Sequence, residues 1–366
     1  MPKRLAKAPA PAPEPEPKQR ALSPLPLDTP DEAHESQDEL PQECVVDDCV
    51  LRLVLPIQRL ETLLKSGGTV QAQVPLLYDS QRELVCMFLD SGSVCVSAEG
   101  KVRKVFQGSN FSAHNPLVTL EGSELRFLGK VDSEQLCKLI VAQYGEPGSS
   151  IRLQAHLVLC GDGKVTMQVI NPDTPSHRVH IALPLCEPDE HDMGVNVETL
   201  NLFKRFNQVA YSCAVAVGRQ RLEQILRTGR LLGQTKGGVP EFRIRIQEGA
   251  TRDVDDVKHN LVHFITSGDH KDETRTSLRK LPDGSWEEGD RQLMLTAVEY
   301  REVFNNAFPM ENMARIIAAI PKSTLVRFHV IDHPQLKDLV MVQPELSGAE
   351  TIIRWVVVPQ VNPESI

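Results

Sequence analysis

No apolar run in the 366-residue chain approaches the ~20 residues that a membrane-spanning helix needs. The start, Met1-Pro-Lys-Arg-Leu-Ala-Lys7, leads into proline and glutamate rather than into an apolar signal core. These two absences predict a soluble, intracellular, cytoplasmic protein. Eight cysteines are present (Cys44, Cys49, Cys86, Cys95, Cys137, Cys160, Cys186, Cys213), but no two are spaced CxxC. Neither a zinc ribbon nor a disulfide framework is indicated, and they read as thiols in a reducing compartment. Positive charge is not in excess: 40 Lys and Arg against 49 Asp and Glu give a formal net charge of -9. The chain therefore does not coat nucleic acid by bulk charge, and any such contact needs a local basic face. GxSxG, HExxH and dinucleotide GxGxxG motifs are missing too. Gly161-Asp-Gly-Lys164 and Ser66-Gly-Gly-Thr69 lack the GxxxxGK[ST] spacing and read as tight turns. What remains is an ordinary globular composition, 41% hydrophobic and 24% charged, in a chain long enough to bury a sizeable core.

Residues 1–43 hold ten of the 26 prolines, five basic residues early and nine acidic ones mostly late. Ala-Pro and Glu-Pro steps favour extended polyproline structure, so this segment predicts a disordered arm. From Cys49 strands and helices alternate. Val50–Leu55 predicts a strand, followed at Pro56 by a helix over Ile57–Lys65 that stops at Gly67-Gly68. Short strands follow at Val70–Leu77, Glu83–Leu89, Val94–Ala98 and Lys101–Phe106. A second helix starts from a cap at Asp132, and Ile151–Leu159 with Lys164–Ile170 form a hairpin.

The same order recurs. Cys213–Val217 predicts a strand and Arg219–Gly229 a helix, in which Gln220-Arg-Leu-Glu223, Leu226 and Gly229 repeat Gln58-Arg-Leu-Glu61, Leu64 and Gly67 at a constant offset of 162. Strands at Glu241–Gln247, Asn260–Thr266 and Gln292–Thr296, a hairpin at Pro282-Asp283-Gly284 and a helix-rich stretch over Val298–Ala319 complete the second unit. The expected organisation is an arm (1–43), unit 1 (44–172), a connector (173–210) with one helix at Glu198–Gln208, and unit 2 (211–366). The expected class is α+β, with two tandem units that each have antiparallel strands backed by two helices.

Tandem units of this kind resemble DNA sliding clamps. The two-unit form is similar to proliferating cell nuclear antigen and to viral or phage processivity factors, and each unit resembles a domain of the bacterial β clamp. The segments that carry the resemblance are Val217–Leu226, Leu295–Phe304 with Ile316–Val330, and Ile353–Gln360. It implies a non-catalytic processivity factor for DNA replication that encircles double-stranded DNA without sequence specificity. It also implies a homo-oligomer, a trimer by analogy, and tethering of polymerase-type peptide motifs, with no cofactor and no membrane partner. The candidate DNA face is the set of helix cations: Arg59, Lys65 and Lys138 in unit 1, and Arg219, Arg221, Arg227, Arg230, Lys236 and Arg315 in unit 2. The alternative for each of these is a solvated helix face. The resemblance places partner binding at an apolar groove framed by Leu183 and Leu185 in the connector and by Val357, Val358 and Pro359 near the end.

Two other classes stay open. One is a structural or assembly protein of duplicated α+β fold. The other is a metal-dependent hydrolase using His259, His263 and His270, although two histidines four apart on a strand are spaced too widely for easy joint ligation.

Overall fold

The apolar stripes expected at Ile57–Lys65 and Arg219–Gly229 become helices in the structure, a computed structural model that describes residues 49–108, 111, 117–120, 123–144, 153–161, 164–174, 178–183, 190–208, 211–234, 241–250, 259–267, 273–280, 286–288, 299–331, 336, 338–346 and 350–360. The expected arm lies outside the described residues. The first half runs β1 (Cys49–Pro56), α1 (Ile57–Gly68), β2 (Gln73–Asp79), β3 (Leu84–Asp90), β4 (Val94–Lys101), β5 (Arg103–Gln107), β6 (Leu117–Leu120), β7 (Ser123–Asp132), α2 (Ser133–Tyr144), β8 (Gln154–Cys160), β9 (Val165–Ile170) and β10 (Arg178–Leu183). A connecting helix, α3 (Glu190–Phe206), leads to the second half. That half runs β11 (Tyr211–Gly218), α4 (Arg219–Gln234), β12 (Glu241–Ala250), β13 (His259–Ser267), β14 (Glu273–Lys280), β15 (Trp286–Glu288), β16 (Glu299–Pro309), α5 (Met310–Ala319), β17 (Leu325–Ile331), β18 (Val340–Pro344) and β19 (Thr351–Val357).

The duplication is visible in the strand pairing. In the first half β1 pairs with β8, β8 with β9, β9 with β10, β2 with β3 and β7, and β3 with β4. In the second half β11 pairs with β17, β17 with β18, β18 with β19, β12 with β13 and β16, and β13 with β14. All of these pairs are antiparallel. The halves join where β19 pairs with β4, from Thr351↔Gly100 to Val357↔Val94, which fuses strands of both into one nine-stranded sheet. Two five-stranded sheets flank it, ordered β10-β9-β8-β1-β5 and β15-β14-β13-β12-β16. Across the seam, Trp355 Nε1 donates to Thr69 Oγ1 at 3.0 Å and Val358 N donates to Ser93 O at 3.0 Å.

Helix packing follows the apolar stripes. Leu60, Leu63, Leu64 and Gly67 of α1 are buried, and so are Leu222, Ile225, Leu226 and Gly229 of α4. Both glycines sit where side chains of neighbouring elements press against the helix backbone. A Cβ on Gly67 would meet Met87 Sδ and Val74 Cγ1 at 2.7 Å, and one on Gly229 would meet Met310 Cε and Thr266 Cβ at 2.6 Å. This corrects the expectation that Gly229 ends its helix: the residue is there for close packing, and α4 continues to Gln234. Asp132 caps α2 as expected, its Oδ1 accepting from Gln135 N at 2.8 Å.

Further departures concern the second half and the connector. Of the stretch expected to be helix-rich, residues 299–309 form β16 and only Met310–Ala319 is helical. Glu299–Pro309 sits where β7 sits in the first half, paired to β12 as β7 is to β2, and tertiary pairing overrides local helix preference. The connector helix begins at Glu190, eight residues before the expected start. The expected strand Gln292–Thr296 and the turn at Pro282-Asp283-Gly284 lie outside the described residues.

Candidate nucleic-acid interface

Strand alternation sorts the nine-stranded sheet into two rows. Val74, Leu76 and Tyr78 of β2, Val85, Met87 and Leu89 of β3, Val94, Val96 and Ala98 of β4, and Ile353, Trp355 and Val357 of β19 join the main core with α1. The intervening residues point the other way. There Leu77, Cys86, Phe88, Leu125 and Phe127 gather around Leu200 of α3, and Cys95, Met341 and Val356 around Phe203 and Phe206. We call these the inner and outer faces.

The inner side carries the other four helices, which touch in the order α2, α1, α5, α4. Together they hold eight Lys and Arg against four Glu, in a chain whose net charge is -9. Charge is thus segregated, with the helix row positive against an acidic whole. A row of this kind can hold phosphates without reading bases.

The cations are not equivalent. Arg227 on α4 and Arg315 on α5 are exposed and make no hydrogen bond or ion pair among the described residues. Arg221 is half-buried and donates from Nη1 to Gln224 Oε1 at 3.3 Å. Arg230 pairs with Glu311 of α5 at 2.9 Å. Lys65 pairs with Glu61, and exposed Lys138 pairs with Glu134 at 2.6 Å, which raises the Lys138 pKa and keeps it charged. Arg219 is a correction: only 7% exposed, it donates from Nε to Ile317 O at 3.1 Å and from Nη1 to Glu223 at 2.6 Å, and so ties α4 to α5. It lies three residues before Leu222, on the buried stripe itself, which is the signal that could have found it. Arg59 is likewise turned to the protein, bonded to Lys101 O and the Glu350 carboxylate. Lys236 lies outside the described residues.

The partner-binding candidates separate. Leu183 ends β10 at the edge of a five-stranded sheet, paired with Val165, while Val357 belongs to the nine-stranded sheet and is fully buried on the helix side. Val358 and Pro359 are half-buried just beyond β19, and Leu185 lies outside the described residues. The β19 residue that reaches the outer face is Val356. The sequence reading missed this face, although Val85-Cys-Met-Phe-Leu89 and Trp355-Val-Val-Val358 are unbroken apolar runs, the mark of strands buried on both sides.

Of the histidines, His263 is buried and its Nε2 lies 3.0 Å from Gln247 Oε1. His270 and the side chain of His259 lie outside the described residues. Among the described residues no three His, Cys, Asp or Glu side chains are grouped to hold a metal, and no helix is long and apolar enough to cross a membrane. Burial pushes up the thiols of Cys86, Cys95 and Cys137, the last to about 11 with help from Glu61, so each stays protonated.

No protein-family model and no curated protein matches the sequence. Solved structures do match. Proliferating cellular nuclear antigen from Entamoeba histolytica aligns at 10% identity over 86% of this chain and 100% of its own, with a TM-score of 0.50. PCNA from Thermococcus kodakaraensis aligns at 11% identity over 85% and 100%, also at 0.50. The chain has the fold of a DNA sliding clamp, in the α+β form of two tandem units expected from the order of its elements.

Proposed function

We propose that the chain is a DNA sliding clamp: a non-catalytic processivity factor that encircles double-stranded DNA and tethers replication proteins to it. The observation that carries this reading is the row of four touching helices, positive in an acidic protein, packed on the strands of one shared core. Duplex phosphates would meet chiefly Arg227 and Arg315, with Arg221, Lys65, Lys138 and Arg230 held near by their side-chain partners.

Closure of a ring finds support inside the chain. The β4·β19 seam joins one half to the other, and the strands in the corresponding slots, β14 and β10, remain near the ends. Among the described residues β10 is an edge strand, and β15 covers only Leu278–Lys280 of β14. Pairing β10 of one copy with β14 of the next would repeat the internal seam head to tail and remove both bare edges. A homotrimer is the closed form that the resemblance to two-unit clamps suggests. The unit boundaries expected at 44–172 and 211–366 belong to the same reading, with the first unit lengthened to take in β10 (Arg178–Leu183), which pairs with β9.

Retention on nicked circular against linear duplex tests it. A topologically linked ring stays on the circle and runs off the open ends of the linear form. Equal loss from both would favour the alternative, a structural or assembly protein of duplicated fold.

A further inference from the structure

The outer face of the seam is apolar, and the chain covers it with its own helix. A sheet face left to solvent carries polar residues at alternate positions, yet Leu77, Cys86, Phe88, Leu125 and Phe127 make an apolar surface that Cys95, Met341 and Val356 extend across the β4·β19 seam. Helix α3 crosses it and inserts Leu200, Phe203 and Phe206 at i, i+3 and i+6. The chemistry that fits this surface is therefore on view: a short amphipathic helix with an apolar residue followed by two aromatics at three-residue intervals.

We propose that α3 is a tethered occupant of the partner-docking surface, and that a partner peptide of the pattern Leu-x-x-Phe-x-x-Phe binds by displacing its C-terminal turns. This rests on reading the chain as a clamp that tethers partners, but the surface is defined by the chain's own residues.

Local helix preference does little to hold the 17 residues of α3. Its sequence includes Asp192, Gly194, Val195, Asn196, Val197, Thr199 and Asn201, all poorer helix formers than Ala or Leu, and a helix of that length and composition is not stable by itself. Thr199 Oγ1 is buried with no hydrogen-bond partner among the described residues, which costs the docked state. Beyond α3, Arg354 Nη1 donates to Asn207 Oδ1 at 2.8 Å and tethers the chain to β19. The buried apolar residues of α3 belong to two small clusters that the sheet separates from the main core, so the helix can lift without opening that core.

Two measurements on the full chain test the inference, with a synthetic peptide of residues 190–208 as the probe. In native-state hydrogen exchange, amides of residues 199–206 should exchange on the order of 100-fold faster than those of α1 and β3, through local opening. The labelled peptide should bind the Phe203→Ala/Phe206→Ala chain about tenfold or more tighter than the native chain, because the internal competitor has been weakened. Exchange of α3 only with global unfolding, or equal peptide binding by both chains, overturns the proposal. Should the double variant fail to fold, exchange on the native chain decides alone. Retention on nicked circles, measured in parallel, reports separately on the clamp: a retained chain whose α3 opens only globally keeps the clamp and loses the tethered occupant.

Discussion

On the helix side, Leu60, Leu63, Leu64 and Gly67 of the first half have Leu222, Ile225, Leu226 and Gly229 of the second as counterparts, all buried against strands in matching slots. On the opposite side the halves part. The first half places Leu77, Cys86, Phe88, Leu125 and Phe127 there, under α3. The second places Arg243, Arg245, Gln247, His263 and Asn305, which pair with one another and their neighbours: Arg245 forms an ion pair with Glu302 at 2.7 Å, His263 lies 3.0 Å from Gln247, and Arg243 lies 3.4 Å from Asn305. Side chains alternate along a strand, so one face can change chemistry while the other keeps its fit to a helix. The duplicated fold is held by its inner rows, and the outer rows are where the halves take on different work.

The largest expected effect tests that division directly. Phe88→Ala removes a fully buried ring from the first outer face and should cost about 3–5 kcal/mol. Arg245→Ala breaks a partly exposed pair on the second and should cost no more than about 1 kcal/mol. Urea denaturation of both variants checks this, and equal losses would erase the contrast between the faces.

Next come the shared glycines. An exposed helix glycine gains about 1 kcal/mol on replacement by alanine, but at Gly67 and Gly229 the added methyl collides with neighbours at 2.7 and 2.6 Å. Both Gly67→Ala and Gly229→Ala should destabilise, by about 1–3 kcal/mol each. Stabilisation at either position would mean that the halves do not share their inner packing.

The helix row is asymmetric as well, and smaller effects follow from it. Arg227→Ala with Arg315→Ala, which removes two exposed cations of the second half that have no partner among the described residues, should lower the slope of log affinity for duplex against log salt by about 2, equally for unrelated sequences. Lys65→Ala with Lys138→Ala, in the first half, should lower it less, because each of these lysines already has a glutamate partner. Identical slopes in the two double variants would place the DNA evenly against both halves.

The last effect is on pH dependence near the seam. Burial, with Arg327 and Arg354 adding repulsion, pushes the pKa of His329 down to about 4, against 6.5 for an exposed imidazole. Between those values the unfolded chain binds the extra proton, so this residue's contribution to stability is intact above pH 6.5 and is lost as pH falls toward 4. The pH 7.5 to pH 4.5 loss of stability should be smaller in His329→Gln than in the native chain. An unchanged loss would show that other groups set the acid response.

Much of this was legible beforehand. The repeat at offset 162, the Asp132 cap, the hairpin of β8 and β9 and the stripes of α1 and α4 are local patterns, each written in residues that lie within a few turns of one another. The strand β16 was misread as helical because its identity comes from pairing with β12. Arg219 and Arg227 sit on one helix and look alike as letters, yet one is bonded to the Ile317 carbonyl and the other meets solvent. Stripe position already hinted at that difference, since Arg219 falls in line with Leu222 and Leu226.

The sequence by itself determined which segments are helices with one apolar side, that the same plan is used twice, and that positive charge is concentrated on α4. These depend on periodicity, and periodicity is a local property of the chain. Only the tertiary structure decided that Ile353 would lie beside Ala98, that the resulting sheet would be apolar on both faces, and that the connector helix would cover the outer one. Strand pairing across some 250 residues is selected by the free energy of burying two complementary apolar surfaces at once, and no single window of sequence contains both of them.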